Sequence, residues 1–434
     1  MKLRPFELFL ITFFAVLAVA AVTLLAIYEA PKDPDASTVS GPVLIWGSLP
    51  EEPMVTLFDE LGQDNPSLQN VTYKYIDPRD FNERFVNALA DRTNPDIILM
   101  PHEELVVHRA RLAPYSFEQF SVRDFRDRFI DGAEIFVLRD GVYAVPLAVD
   151  PLVLFWNRTL FGNAGVLGAP SSWEQLSGEL VPRLTLRDFN RTINRAAVAM
   201  GQSDNVTHLY PVLSMLAMQA GSQLVVDGEG RYQVLIDDAV SASGTRPLSQ
   251  ALEFFMRFSN PSSVEYTWNR AQPLDRDAFV REELAMYFGF ASEGPGLAVR
   301  NPNMNFDVAE VPKGEKVQIR RTYGRFYGIA IVRNATNLGG AFGAMNILAA
   351  EVNATRLAQE FGMAPATRAG LGVGTNDIFG RVAYRAAPVA RGWLAPGDTA
   401  TTQVFADMVE RAAADRGNVA GAASDGVGRL QLAY

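Results

Sequence analysis

The residues of this chain best suited to chemistry are three polar side chains in a row, His102-Glu103-Glu104, and one isolated acid, Asp150, set between two apolar runs. His102-Glu103 opens like the zinc-protease helix signature, but position 106, where the second histidine must stand, holds Val106. His108 and His208 are the only other histidines, and there is no cysteine, which excludes thiol nucleophiles, thiolate metal sites and disulfides. No Gly-x-Ser-x-Gly elbow, P-loop or dinucleotide glycine fingerprint occurs. The stretch 227–238 is too poor in alternating oxygen ligands for a calcium loop. Glu103 and Asp150 have the types of a glycosidase's carboxylate pair, and sequence leaves their separation open. A cleft that only binds a polar solute needs the same residue types, and that reading, with no cofactor or metal, is favoured over an enzyme.

The elements that must position these groups alternate between strands and helices. Residues 43–46 form an apolar strand that Gly47-Ser48-Leu49-Pro50 ends before the helical face Met54, Leu57, Phe58, Leu61. Residues 71–76 alternate as a second strand, Asp80 and Glu83 have capping-box spacing, and residues 96–100 form a third strand. In parallel α/β sheets ligands bind beyond the carboxyl ends of strands, so the loops at 46–52 and 101–104 border the expected cleft. Residues 142–145 and 152–156 read as two short strands, with Pro146 interrupting the first. Asp150 between them is too costly to bury alone and must be hydrogen-bonded, ion-paired or waiting for a ligand. Ser171 and Glu174 again have capping-box spacing. Further on come helices at 209–220, 340–350 and, last, 404–413, and a hairpin with an Asp227-Gly228 turn.

The strings YAVPLAVD (143–150), LFWNRTLF (154–161) and PSSWEQL (170–176) resemble the first inter-lobe crossover of the extracellular solute-binding proteins of ABC transporters, the family that includes maltose-binding protein. NPDIIL (94–99), FVREELAM (279–286), FDVAEVP (306–312) and YGIAIV (327–332) match in the same order, so the resemblance spans residues 42–434. It implies an α/β, two-lobed periplasmic-binding-protein-like fold hinged at its crossovers. Lobe 1 would hold residues 42–147 and 330–372, and lobe 2 residues 150–328 and 373–434.

The same resemblance implies contact residues, each with a structural alternative. Asp150 matches the crossover carboxylate that contacts sugar hydroxyls, the alternative being a hinge carboxylate that caps backbone amides. His102 and Glu103 match the polar loop after the third strand, or simply begin a helix whose dipole suits an acid. Ser48 is the expected contact of the first loop, whereas Trp46 divides between contact and core. Tyr210 and Trp393 match aromatics that stack on sugar faces, Tyr327 faces either cleft or hinge, and Trp156 is packing. Ser292 stands where the maltose-binding pattern has a stacking tryptophan, with Phe290 as a substitute; Met100 replaces another aromatic and Glu104 an arginine. The cleft is therefore less aromatic and more acidic, so a smaller sugar, a polyol or a cationic solute fits better than maltodextrin. The partners implied are that solute and an ABC permease. The rival classes are a sensor or interaction protein on the same fold and, more remotely, a glycoside hydrolase.

Composition agrees with that setting. Over 434 residues the net charge is -10, and no Lys/Arg block marks a basic face, which argues against a nucleic-acid partner. Residues 6–28 are almost continuously apolar behind Lys2 and Arg4, long enough for one transmembrane anchor with the body outside the cytoplasmic membrane, followed by a polar linker over 29–41. The alternative is a cleaved signal peptide with Ala18-Val19-Ala20 as its site.

Overall fold

A computed structural model describes residues 38–434 apart from 191, 229–230, 239–243, 245, 318–319 and 416. The expected anchor at 6–28 and most of the expected linker lie outside the described residues. Among those described, no helix is long and apolar enough to cross a membrane.

The chain from Val39 on starts with parallel β–α–β units: β1 (Val43–Gly47), α1 (Glu51–Asp64), β2 (Val71–Tyr75), α2 (Pro78–Asp91) and β3 (Ile97–Pro101). Helix α2 starts earlier than its Asp80-Glu83 spacing predicts, because Asp77 caps it by accepting the Arg79 N–H at 2.9 Å and Pro78 fills the first turn. Next come β4 (Val145–Asn157), β5 (Ile193–Val198), α3 (Leu209–Gln219), β6 (Leu284–Phe290), α4 (Gly294–Arg300), β7 (Phe306–Glu310) and β8 (Thr322–Ile331). Two later helices close the fold, α5 (Asp398–Ala414) and α6 (Val419–Leu432), so the helix expected at 404–413 starts earlier and is not the last.

The main sheet runs β2-β1-β3-β8-β4-β6-β5, with β7 also on β4. Both halves of this two-lobed α/β fold are threaded by β4. Its first part pairs antiparallel with β8, from Val145 opposite Ile329 to Pro151 opposite Gly324, and its second part with β6 and β7. Thirteen residues therefore make one strand across a stretch where a strand at 142–145, interrupted by Pro146, and a second at 152–156 were expected. The prolines are tolerated because of where they stand. Pro146 sits beside the register shift at Tyr327/Gly328, and Pro151 is the last pair before β4 changes partner. Every β4 side chain but Trp156 is buried, so the strand is the spine of the core.

Two smaller expectations shift. The cap expected of Ser171 falls to Ser172, whose hydroxyl accepts the Gln175 N–H at 3.1 Å. The hairpin pairs Gly228 with Arg231, which places Asp227 and Gly228 in its first strand instead of in the turn.

Candidate functional site

At the carboxyl end of β3 the chain tightens into a single turn, His102–Glu104, before a short helix Leu105–His108. That turn borders a cavity of about 140 Å³, lined among others by Ser48 from the loop after β1, Met100 and Glu104, Arg325 and Tyr327 of β8, and Asp398 and Thr399 at the start of α5. Wider hollows beneath Trp173 (330 Å³) and beside Tyr384 (450 Å³) are more open to solvent. The smaller cavity is where polar groups from five separate stretches of chain converge, at the strand ends where the fold rule places a ligand.

Behind its wall lies a buried network centred on Glu103. The hydroxyls of Tyr323 (2.9 Å) and Tyr210 (3.0 Å) and the Arg325 Nε–H (2.9 Å) all donate to Glu103 Oε1. Burial alone would raise this carboxyl, but His102, with Nδ1 3.1 Å from Oε2, and the Arg325 guanidinium with its hydrogen bond hold it below the usual carboxylate range. Burial drives both tyrosines well above their ordinary value, so both remain donors. The Tyr210 hydroxyl also lies 3.0 Å from Asp398 Oδ1, so one proton is shared between two carboxylates from distant parts of the chain.

His102 supports the turn from beneath. Its Nδ1 faces the Phe326 N–H at 3.1 Å and its Nε2 faces the Trp393 N–H at 3.3 Å. A neutral imidazole has a single acceptor nitrogen, so the ring accepts from one of these two N–H groups and a doubly protonated ring from neither, which favours the neutral form. Burial, which pulls its pKa down to about 4 against the pull of Glu103, has the same consequence. An added Cβ at Gly392 would collide with the imidazole, so this packing requires glycine there.

Arg325 is the pivot. Its guanidinium lies 4.7 Å from the Phe290 ring centroid, with Nη2 3.5 Å from Asp398 Oδ1 and its remaining edge toward the cavity. Glu104 accepts the Asp398 N–H at 3.3 Å through Oε1. Burial, with Asp398 and Glu103 nearby, pushes its carboxyl up to about 7. Among the described residues no group of three or more His, Asp or Glu side chains is arranged to hold a metal ion. The arrangement can donate and accept many hydrogen bonds in a partly dry cleft.

A sequence profile of the bacterial extracellular solute-binding protein family matches residues 48–355. The chain belongs to that family. Provisionally named binding proteins of Brucella abortus and Brucella suis are 19% identical over 292 residues, which spans 66% of this chain and 66% of theirs. Among solved structures, a cyclo/maltodextrin-binding protein complexed with maltotetraose is similar at TM-score 0.70, with 12% identity over 93% of this chain and 98% of that one. The cyclic α-maltosyl-1,6-maltose-binding protein of Arthrobacter globiformis also reaches 0.70, with 16% identity over 91% of this chain and 99% of its own. An ABC-transporter solute-binding protein of Thermotoga lettingae bound with α-D-tagatose reaches 0.66, with 18% identity over 91% and 100%.

In this solute-binding protein, Ser48 and Tyr327 line the cavity, while His102, Glu103 and Tyr210 stand one layer behind it and hold Arg325 and Asp398 in place. Asp150 is not left waiting for a ligand. It accepts the Ser292 N–H at 3.1 Å and the Ser292 hydroxyl at 2.5 Å, tying β4 to the turn before α4, and burial pushes its carboxyl up to about 7 against those two bonds. Phe290 offers no free face, because Arg325 covers it. Trp46 and Trp393 are buried, 6% and 3% exposed, with neither indole N–H hydrogen-bonded. Sequence reasoning missed Arg325, Asp398 and Thr399. The Pro396-Gly397-Asp398 start signal was available for the last two. Nothing local marks Arg325, whose meaning comes from Glu103, 222 residues earlier.

Proposed function

We propose that the chain captures a small hydroxylated solute, first among them a monosaccharide-sized carbohydrate, and delivers it to an ABC-type importer. The observation that carries this reading is the convergence of Ser48, Glu104, Arg325, Tyr327, Asp398 and Thr399 on one cavity of about 140 Å³ at the strand ends. That volume lies below the roughly 300–1,000 Å³ of drug-sized sites, which favours a small solute over a long oligosaccharide. Similarity to proteins solved with maltotetraose and α-D-tagatose supports a carbohydrate. On this reading residues 42–147 and 330–372 form one lobe and 150–328 and 373–434 the other, with residues 6–28 tethering the body outside the cytoplasmic membrane. The cavity residues make the ligand contacts, and the network around Glu103 orients them without chemistry of its own.

A thermal-shift screen of the soluble body against sugars and polyols tests it, because a ligand of the native state raises stability by about 2.7 kcal/mol at 100-fold excess over Kd. A second reading, a sensor or interaction protein on the same fold, gains support from the aromatic rings: Tyr210 and Trp393 are buried and Phe290 is buried under Arg325, so no expected stacking ring is open. A partner protein that shifts melting where no small solute does would favour it.

A further inference from the structure

The cavity has an imbalance of charge that hydroxyl recognition leaves unused. Its charged lining consists of Arg79, Glu104, Arg325 and Asp398. Arg79 is 88% exposed at the rim and clamped by Asp77 through Nε at 3.0 Å and Nη2 at 2.8 Å, so it contributes little to the interior. Arg325 is bound to Glu103 behind the wall and reaches Asp398 only at 3.5 Å. Glu103, Glu104 and the half-exposed Asp398 therefore share a single guanidinium that stands away from the rim.

Glu104 is the acid without a counter-ion of its own. The basic group closest to it is His108, fully buried against Phe81 and Phe85, with no hydrogen bond at either ring nitrogen and Nε2 aimed at Glu104 Oε2 from 3.6 Å. Burial pulls His108 down to about 3, so its ring is neutral and supplies no charge.

We propose that this cleft selects a small hydroxylated solute bearing an ammonium group, gripped between Glu104 at the end of β3 and Asp398 at the start of α5. The inference rests on the sugar-like solute of the proposed function and names the substituent that distinguishes it. An ammonium has three donors and no acceptor, and suits two carboxylates of which Glu104 has no counter-ion and Asp398 only the Arg325 contact at 3.5 Å. Its charge brings the interior to two cations against three acids. Glu104 is surrounded by Glu103 and His108 on its own segment, Asp398 on α5, Arg325 and Tyr327 on β8, and Arg79 at the start of α2. With its carboxyl raised to about 7 by burial and the two neighbouring acids, an arriving ammonium displaces the proton it holds.

The test is calorimetric titration of the soluble body with D-glucosamine and with D-glucose, repeated on Glu104→Gln, with melting curves to confirm folding. The expected result is glucosamine binding at least about tenfold tighter than glucose, a preference that shrinks below about threefold in Glu104→Gln. In the unmodified protein the glucosamine affinity rises between about pH 5.5 and about pH 7 while any glucose affinity stays flat. Glucose binding as tight as glucosamine, or no glucosamine binding, overturns the ammonium inference. The sugar reading itself fails only if no neutral sugar or polyol in the wider screen binds either, so the two failures are distinct. A preference that survives unchanged in Glu104→Gln also overturns the inference, since it places the ammonium elsewhere.

Discussion

Arg325→Ala is the perturbation with the largest expected consequence, because it removes the only guanidinium from a carboxylate that is 0% exposed. In the native protein Glu103 is held below its ordinary range, so its stabilising contribution is present at neutral pH and lost only as pH falls toward its lowered value. Without Arg325 burial dominates, the folded-state value rises above the unfolded one, and the sign reverses: the acid then destabilises the fold increasingly as pH rises. Breaking a buried pair by removing one partner costs about 3–5 kcal/mol. With an unfolding entropy of about 2.1 cal/mol/K per residue, that corresponds to a Tm lower by about 4–6 °C at pH 7 for a body of this size, and by clearly less near pH 4. Replacing Glu103 by Gln in the same chain removes the orphaned charge and should recover more than half of the loss, a coupling that a double-mutant cycle reads directly. Calorimetric melts of the wild type, both single variants and the double variant at pH 4 and 7 suffice. A pH-independent loss, or one that the Glu103→Gln change does not relieve, refutes the account of Glu103 as a charge held by Arg325.

Four further outcomes follow from the same geometry. Asp150→Ala should lower stability by about 1–3 kcal/mol by leaving the half-buried Ser292 groups without their acceptor, measured by denaturant midpoint. Asp150→Asn should reduce the fall in Tm between about pH 4 and pH 7, because the native acid is raised to about 7 and its contribution is lost as pH climbs through that value. Gly392→Ala forces a methyl group onto the His102 ring and should cost about 1–3 kcal/mol; an unchanged melting curve would show that the ring has room to move. Tyr327→Phe should leave melting without ligand nearly unchanged and weaken sugar binding by about 3- to 10-fold, provided its hydroxyl meets the ligand from the cavity wall.

The parallel start of the sheet and the ligand-side turn were legible because short apolar strands, a glycine turn and amphipathic helices leave a local pattern. The turn at His102–Glu104 fell where the strand-end rule placed it, and Ser48 and Tyr327 proved to line the cavity. What was illegible was long-range or exceptional. Pro146 reads as a strand breaker until its neighbour is known to shift register opposite it. Asp150 reads as either a ligand contact or a hinge carboxylate until Ser292, 142 residues later, supplies two donors. Arg325 is an ordinary strand residue until Glu103 and Asp398 are brought to it. Trp46 and Trp393 show the limit from the other side, since an aromatic at a family contact position carries no sign of which way its ring turns.

The shared ladder between β4 and β8 bears on how such a protein opens. The two crossover strands are hydrogen-bonded to each other from the Pro151–Gly324 pair to the Val145–Ile329 pair, so they behave as one torsion spring and not as two independent threads. An opening would be taken up as added twist along this buried ribbon, with weak points where Pro146 leaves a donor missing opposite Gly328 and where Pro151 does so opposite Gly324. A side chain at 324 would press on Ala390 and stiffen that point from outside the cavity. The rate at which a solute enters and leaves can thus be tuned without altering any group that touches it.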